Sequence, residues 1–160
     1  MKSSTIKRVT LIMSMALVTI LTYGQQKGDK AVGGNILYGF DENNIGIAGK
    51  YQWNITDAFR LEPSASYYPQ KSNIKMWDMN VNLHYLFKMN EKFNLYPLGG
   101  LTLFGVKPKN LDSESEFGVN LGGGAEYKLT ENISVGAEMK YQILSDWGRA
   151  VLSIGMTYRF

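Results

Sequence analysis

The sequence predicts an all-β protein, an eight-stranded antiparallel up-and-down β-barrel. Large apolar residues alternate with small or polar residues along most of the chain, which is the period of a β-strand. Turn-forming residues recur between the alternating segments, and after residue 24 no segment has the apolar period of an amphipathic helix. The number of alternating segments is even, so the last strand can pair with the first and close the sheet.

The strands follow from the alternation. The seventh is the clearest, because Val135, Met139 and Tyr141 share one face. Gly136 and Glu138 share the other face. The first and fifth strands alternate less cleanly, and three apolar residues fall on the polar face: Leu98, Phe104 and Val106. We predict strands at residues 30–40, 44–54, 58–68, 74–88, 93–106, 115–129, 133–143 and 150–160.

Three similar stretches connect pairs of strands: WNITDAF (53–59), FKMNEKF (87–93) and YKLTENI (127–133). Each runs from an aromatic residue through an apolar one to two turn-forming residues, of which the second is acidic, and then returns to apolar residues. Thr, Asn and Asp at such positions favour tight turns. We therefore predict three tight hairpin turns, all at the end of the barrel where the first strand begins and the last strand ends.

The first 24 residues have the pattern of a secretory signal peptide. A basic start precedes an apolar run from Val9 to Leu21, which is shorter than the roughly 20 residues that span a bilayer. We predict that residues 1–24 are removed and that residues 25–160 form one β-barrel domain. The three basic residues of the signal account for the excess of 17 basic over 14 acidic residues. No surplus of positive charge then remains to indicate a nucleic-acid partner.

Alternation alone does not decide which face is buried, because a soluble ligand-binding barrel also alternates. In this sequence the polar face is rich in glycine, which fits the cramped interior of a narrow barrel. Aromatic residues on the apolar face concentrate near the strand ends, where a membrane-spanning barrel has its interfacial girdles. We therefore predict a transmembrane β-barrel with an aromatic girdle that includes Trp53, Phe59, Phe87, Phe93 and Tyr127.

An exported chain with eight alternating strands, aromatic girdles and an aromatic last strand resembles the small bacterial outer-membrane barrels of the OmpA transmembrane-domain and OmpX type. The resemblance implies the outer membrane of a Gram-negative cell, with the tight turns in the periplasm. The other four links, which are longer or richer in charge than the tight turns, would then face the outside, near residues 41–43, 69–73, 107–114 and 144–149. It also implies that the barrel-assembly machinery engages the alternating residues of the last strand: Ile154, Met156, Tyr158 and Phe160.

Charged residues on the polar face are expected to point into the lumen and to pair with one another, which makes their burial tolerable. Hairpin pairing is expected to place Lys50 opposite Glu62, and Glu126 diagonal to Glu138. Two lysines and Arg159 would supply cations for the two diagonal glutamates. So narrow an interior has no room for a sugar, which argues against a glycosidase. The predicted lumen charges are Lys50, Arg60, Glu62, Asp78, Glu126, Lys128, Glu138, Lys140 and Arg159.

His84 is the single histidine of the sequence and the first candidate for catalysis. One interpretation is a catalytic base, as in outer-membrane lipid-modifying enzymes. However, Leu86 stands where such a site would have its serine, and hairpin pairing places His84 opposite Tyr96. We therefore expect His84 to be a lumen residue that hydrogen-bonds Tyr96. With one histidine and no cysteine, we predict no catalytic residue, no metal site and no cofactor.

The function predicted from these features is a monomeric, non-enzymatic barrel with a structural or surface-interaction role and no open pore. Its partners would be outer-membrane lipid and, during biogenesis, the barrel-assembly machinery. Two alternatives stay open, a barrel that binds or passes small apolar ligands and an outer-membrane lipid-modifying enzyme. The sequence does not identify a partner of the outer loops, whose candidate contact residues are Lys107, Lys109, Asp112, Glu114, Asp146 and Trp147.

Overall fold

The structure, a computed structural model, describes residues 28–71 and 73–160. The predicted signal peptide, residues 1–24, lies outside the described residues. The described residues contain no helix long and apolar enough to cross a membrane. Their strands are β1 (Lys30–Gly39), β2 (Asn44–Asn54), β3 (Phe59–Lys71), β4 (Ile74–Tyr85), β5 (Phe87–Lys88), β6 (Phe93–Pro108), β7 (Glu114–Lys128), β8 (Ile133–Ile143) and β9 (Gly148–Arg159).

Antiparallel pairing closes these strands into a barrel. Only Leu86 separates β4 from β5, and both pair with β6, so the nine elements within residues 28–71 and 73–160 make eight barrel strands. β1 pairs with β9 over most of its length and completes the ring. Closure leaves no strand edge with unpaired backbone groups. The predicted up-and-down barrel is confirmed, and each predicted strand boundary lies within three residues of the observed one.

The three predicted tight turns have one hydrogen-bonding pattern in common. In the first turn, the amides of Ile55 and Thr56 donate to the carbonyl oxygen of Phe59. Thr56 Oγ1 accepts bonds from the two backbone amides that follow Asp57. Asn90 and Thr130 make equivalent bonds in the other two turns. These three turns define the turn end of the barrel, and the opposite end, which carries the other connections, is the loop end.

Two hairpins pair two residues away from the predicted register, because their turns are centred one residue later than expected. The pairs predicted for Lys50 and His84 were Glu62 and Tyr96, whereas the observed pairs are Ser64 and Leu98. Each side chain still lies on the predicted face, since a shift of two residues preserves the alternation.

Apolar side chains cover the outward face of the barrel and leave much of their surface exposed. Trp77 near the loop end and Phe87 near the turn end lie ten residues apart on the same barrel strand. With a rise of about 3.3 Å per residue and a tilt of about 40°, this separation spans about 25 Å, the height of the apolar band of an outer-membrane barrel. The predicted girdle residues all lie on the outward face towards the turn end: Trp53, Phe59, Phe87, Phe93 and Tyr127.

Two apolar clusters lie inside the barrel, and they explain the irregular alternation of β6. Leu98 packs with Leu86 and Tyr96 towards the turn end. Phe104 belongs to the cluster at the loop end, which consists of Leu37, Tyr68, Met76, Phe104, Leu144 and Val151. These apolar residues lie on the inner face because they pack with other apolar side chains inside the barrel, and most of the remaining buried inward side chains are polar.

Inward-facing glycines provide the space for the largest lumen side chains. A Cβ atom on Gly124 would lie 2.6 Å from Cζ of Tyr96, and one on Gly46 would lie 2.6 Å from Cδ1 of Tyr68. Both approaches are closer than a van der Waals contact, so each tyrosine ring requires a glycine beside it.

Candidate functional site

The candidate functional region within the barrel is the polar middle of the lumen. The inward residues of β4 give its levels in order, because Asp78, Asn80, Asn82 and His84 follow one another from the loop end to the turn end. All four are buried. At each level a side chain from a distant strand reaches across the interior, and the contacts are described from the turn end upward.

Arg60 and Glu126 form a two-bond ion pair across the lumen. Nη1 and Nη2 of Arg60 donate to Oε2 and Oε1 of Glu126 at 2.8 and 2.7 Å. The two strands, β3 and β7, are three positions apart in the ring of eight strands. Asn94 donates a further bond to Glu126, and Arg60 Nε donates to Asn54. Water has little access to this pair, because the side chains are only 2% and 8% exposed.

His84 lies between two buried carboxylates. Its Nε2 atom is 3.9 Å from Glu62 Oε1 and 4.0 Å from Glu138 Oε2. The imidazole stacks on the ring of Tyr96, with centroids 4.4 Å apart and planes at 8°. The expected hydrogen bond between His84 and Tyr96 is therefore wrong, since the Tyr96 hydroxyl donates to Glu138 instead. Neither imidazole nitrogen has a hydrogen-bond partner among the described residues.

Glu62, His84 and Glu138 are also the one group of ligand-type side chains, within the described parts of the chain, close enough to surround a metal ion. The sequence did not indicate this cluster, because its members come from three different strands. Both carboxylates already have partners in the wall. Gln52 Nε2 donates to Glu62 at 2.7 Å, and Lys50 Nζ lies 3.8 Å from the same oxygen. A divalent cation would have to compete with that lysine, so the donor set does not favour a metal.

Buried amide side chains form the next level. Asn120 Nδ2 donates to the side-chain oxygens of Asn80 and Asn82 at 2.9 and 2.8 Å. Gln142 Nε2 donates to Asn80 and to Thr102, both at 3.1 Å. Asn120 and Gln142 thus join β7 and β8 to β4, and Gln142 also joins β8 to β6, so the network extends over four of the eight barrel strands. The sequence did not indicate this network, because its members come from four different strands.

Arg149 is the largest lumen group that the sequence analysis missed. Its side chain is fully buried, with Nε 3.1 Å from Glu42 and Nη1 3.7 Å from Asp78. The guanidinium lies over the rings of Tyr68 and Phe104, 4.5 and 4.9 Å from their centroids. β9 and β4 lie on opposite sides of the ring. The contact between Arg149 and Asp78 therefore crosses the full width of the lumen.

The cation paired with Glu126 differs from the expected ones. Glu126 opposite Gly136 and Glu138 opposite Gly124 are diagonal neighbours, as predicted. However, Arg159 lies 3.4 Å from Asp29 at the turn end, and the cation paired with Glu126 is Arg60. Lys140 is buried on the lumen face, and Lys128 is partly exposed at the turn end.

The loop end carries the predicted contact residues, on short connections and on the strand ends beside them. Trp147 packs edge-on against Phe104, and its indole nitrogen donates to Glu116 at 3.1 Å. The remaining candidates are exposed around the rim: Lys107, Lys109, Asp112, Glu114 and Asp146. Three asparagines at positive φ allow the tight connections at this end: Asn43, Asn73 and Asn110.

Residues 7–160 match the family model described as outer membrane protein beta-barrel domain. A search of the curated proteins finds no match.

Among solved structures, the N-terminal β-barrel domain of Pseudomonas aeruginosa OprF superposes with a TM-score of 0.74 at 19% identity, covering 85% of this chain and 100% of that one. Neisserial surface protein A superposes with a TM-score of 0.67 at 14% identity, covering 84% and 98%. Yersinia pestis Ail, in complex with the heparin analogue sucrose octasulfate, superposes with a TM-score of 0.62 at 21% identity, covering 84% and 100%. At these identities the likeness establishes the fold.

Proposed function

Because the chain belongs to the outer membrane protein β-barrel domain family, we propose that it is a closed, non-enzymatic barrel with a structural or surface-interaction role. Membership places the protein in the bacterial outer membrane. The barrel acts as a monomer, with outer-membrane lipid as its surroundings and without a cofactor. Its loop end faces the cell surface and its turn end faces the periplasm.

The observation that carries the proposal of a closed lumen is the set of contacts that cross it at three levels. Arg149 reaches Asp78 near the loop end, at 3.7 Å. Gln142 reaches Asn80 in the middle, at 3.1 Å. Arg60 and Glu126 complete the series towards the turn end. An eight-stranded barrel is only wide enough for its own side chains, so crossings at three levels leave no continuous path for ions.

The surroundings of His84 support a non-enzymatic role. The imidazole is fully buried, and its neighbours are Glu62, Glu138 and the Tyr96 ring. A catalytic base must reach the proton that it removes, within hydrogen-bonding distance of the substrate. A lipid on the outward face has no contact with this position, because the strand wall lies between them.

Conductance of the refolded barrel tests the closed lumen. The protein without residues 1–24 is refolded in detergent, and folding is checked by faster migration of the unheated sample in denaturing electrophoresis. We expect no sustained stepwise current in a planar bilayer. A matched variant with Arg60→Ala, Gln142→Ala and Arg149→Ala removes one crossing side chain at each level, and we expect it to conduct. Steady steps of porin size from the wild-type barrel would contradict the proposal.

A further inference from the structure

Three lysines lie side by side on the outward face at the loop end. Lys75 on β4 and Lys107 on β6 are directly opposite each other in the sheet. Lys109 follows β6, and its amide donates to the Asn73 carbonyl at 2.9 Å, which ties the two connections together. All three lysines are exposed. Like charges directly opposite across two strands are destabilising unless a counter-charge is present.

The lysines line an open depression in the surface. Its volume is about 330 Å³, and its walls are Asn73, Lys75, Lys107, Pro108, Lys109 and Asn110. Of the ion pairs found among residues 28–71 and 73–160, none includes one of these lysines. Among the described residues, no carboxylate therefore lies within ion-pairing distance of the cluster.

Trp77 shows the depth of the lysines in the membrane. It lies opposite Gly105, and its ring lies so close to that glycine that a Cβ atom there would be 2.2 Å from Cε2 of the indole. Trp77 is an outward aromatic residue near the loop end, and such rings sit at the level of the headgroups. Lys75 and Lys107 are one outward position further from the bilayer centre, about 7 Å along the strand. Their ammonium groups therefore lie just outside the apolar band.

Acidic residues dominate the rest of the rim. Asp41 and Glu42 lie in the β1–β2 connection and Asp146 lies in the β8–β9 connection, whereas Asp112 lies in the same β6–β7 connection as Lys109. The basic charge is thus confined to one sector, which faces the lipid rather than the lumen. An anion that binds there must therefore belong to a molecule of the membrane surface, such as a lipid with a charged headgroup.

We propose that Lys75, Lys107 and Lys109 bind the phosphate groups of lipopolysaccharide in the outer leaflet, with the acyl chains lying against the apolar face below Trp77. The proposal rests on the orientation under the proposed function, in which the loop end faces the cell surface. The proposal gives one lipid molecule a defined position on the barrel, whereas the rest of the outward face contacts lipid through apolar side chains.

Binding of purified lipid A tests the site. Trp53→Phe and Trp147→Phe leave Trp77 as the single tryptophan, so its fluorescence reports on a ligand beside the cluster. The refolded barrel is titrated with diphosphoryl lipid A in detergent with EDTA, and a parallel titration uses dephosphorylated lipid A. The test variant carries Lys75→Gln, Lys107→Gln and Lys109→Gln. The control carries Lys30→Gln, Lys88→Gln and Lys92→Gln, the same change in charge at exposed positions of the turn end.

Each lysine near an anionic lipid surface contributes about 1 kcal/mol, and the test variant lacks three of them. We therefore expect it to bind diphosphoryl lipid A roughly 100-fold more weakly than the control. Loss of the lipid phosphates should weaken binding to the wild-type barrel to a similar extent. Equal affinity of test and control variants, or equal affinity for the two lipids, would overturn the proposal.

The orientation is measured separately. The chain has no cysteine, so Asn110→Cys introduces a unique thiol at the loop end. Labelling of intact cells by an impermeant maleimide supports the proposed orientation, and labelling only after outer-membrane disruption contradicts it. Lipid A binding in detergent does not depend on orientation, so failure of one proposal is distinguishable from failure of the other.

Discussion

Replacing Arg60 by methionine should destabilise the barrel strongly, because it leaves Glu126 with a buried and uncompensated charge. The substitution removes two charge-assisted hydrogen bonds, at 2.8 and 2.7 Å, each worth about 1.5–3 kcal/mol. The two side chains are 2% and 8% exposed, so water does not replace the lost bonds. Relief of the desolvation of Arg60 offsets part of the loss, and breaking such a pair costs about 3–5 kcal/mol in total.

The measurement is the free energy of unfolding in urea, for protein refolded in detergent. The double variant Arg60→Met/Glu126→Gln removes both charges and retains the acceptor for Asn94. It should therefore recover about 2–3 kcal/mol relative to the single variant, since an unpaired charge costs more than a neutral polar group. Arg159→Met is the matched control, because its partner Asp29 is 60% exposed. Loss of that exposed pair should cost less than about 1 kcal/mol.

Two results would refute this reasoning. If Arg60→Met and Arg159→Met destabilised the barrel equally, water would be reaching the Arg60–Glu126 pair and the lumen would be hydrated at this level. If the double variant were as unstable as the single one, the cost would come from the lost volume and hydrogen bonds of Arg60 rather than from the charge of Glu126.

The remaining predictions concern His84 and the last strand. His84→Gln should leave the lipid A profile of cells overexpressing the protein unchanged, because the imidazole is enclosed within the barrel; a lipid modification that appears with wild type and vanishes with this variant would favour an enzyme. Deleting Phe160 removes an outward ring that is 65% exposed and at most about 1.5–3 kcal/mol of apolar contact with lipid. We expect this deletion to lower the amount of barrel inserted in cells much more than the urea midpoint of refolded protein, because we propose that the assembly machinery engages Ile154, Met156, Tyr158 and Phe160. Normal insertion of the deletion variant would contradict that role.

The fold class and the inward or outward direction of each strand side chain could be predicted from the sequence, because both depend on local alternation. A strand that buries one face repeats every two residues, and this period is visible without knowledge of the partner strand. The three turns were recognisable for a similar reason, since Thr56, Asn90 and Thr130 cap amides within three residues of themselves. The irregular residues Leu98 and Phe104 did not upset the strand assignment, although their role in the apolar clusters became visible only in three dimensions.

The partners of most lumen residues could not be predicted in this way, although the predicted neighbours Lys50 and Glu62 do lie 3.8 Å apart. Arg60 and Glu126 are 66 residues apart in the sequence and lie on strands that are three positions apart in the ring. Arg149 was missed because the predicted last strand began at residue 150, whereas β9 begins at Gly148. Ser153 and Val151 lie on the inner face, and the same two-residue spacing continued to position 149 would have placed Arg149 there as well. Its contact with Asp78 would still have required the ring order of the strands.

The errors in register show what the crossing contacts add to the fold. Two predicted hairpins were wrong by two residues, and this kind of slip keeps every apolar residue on the lipid side. The hydrophobic pattern therefore does not discriminate against such a slip. Side chains that meet across the lumen do discriminate, because moving β3 by two residues relative to β7 would separate Arg60 from Glu126 by about 7 Å. Buried ion pairs contribute little net stability compared with apolar residues of the same volume, but here they join strands that are not neighbours in the sheet. We infer that the lumen charges select one register among those that alternation permits, so the prediction for Arg60 and Glu126 also tests how the closed barrel is specified.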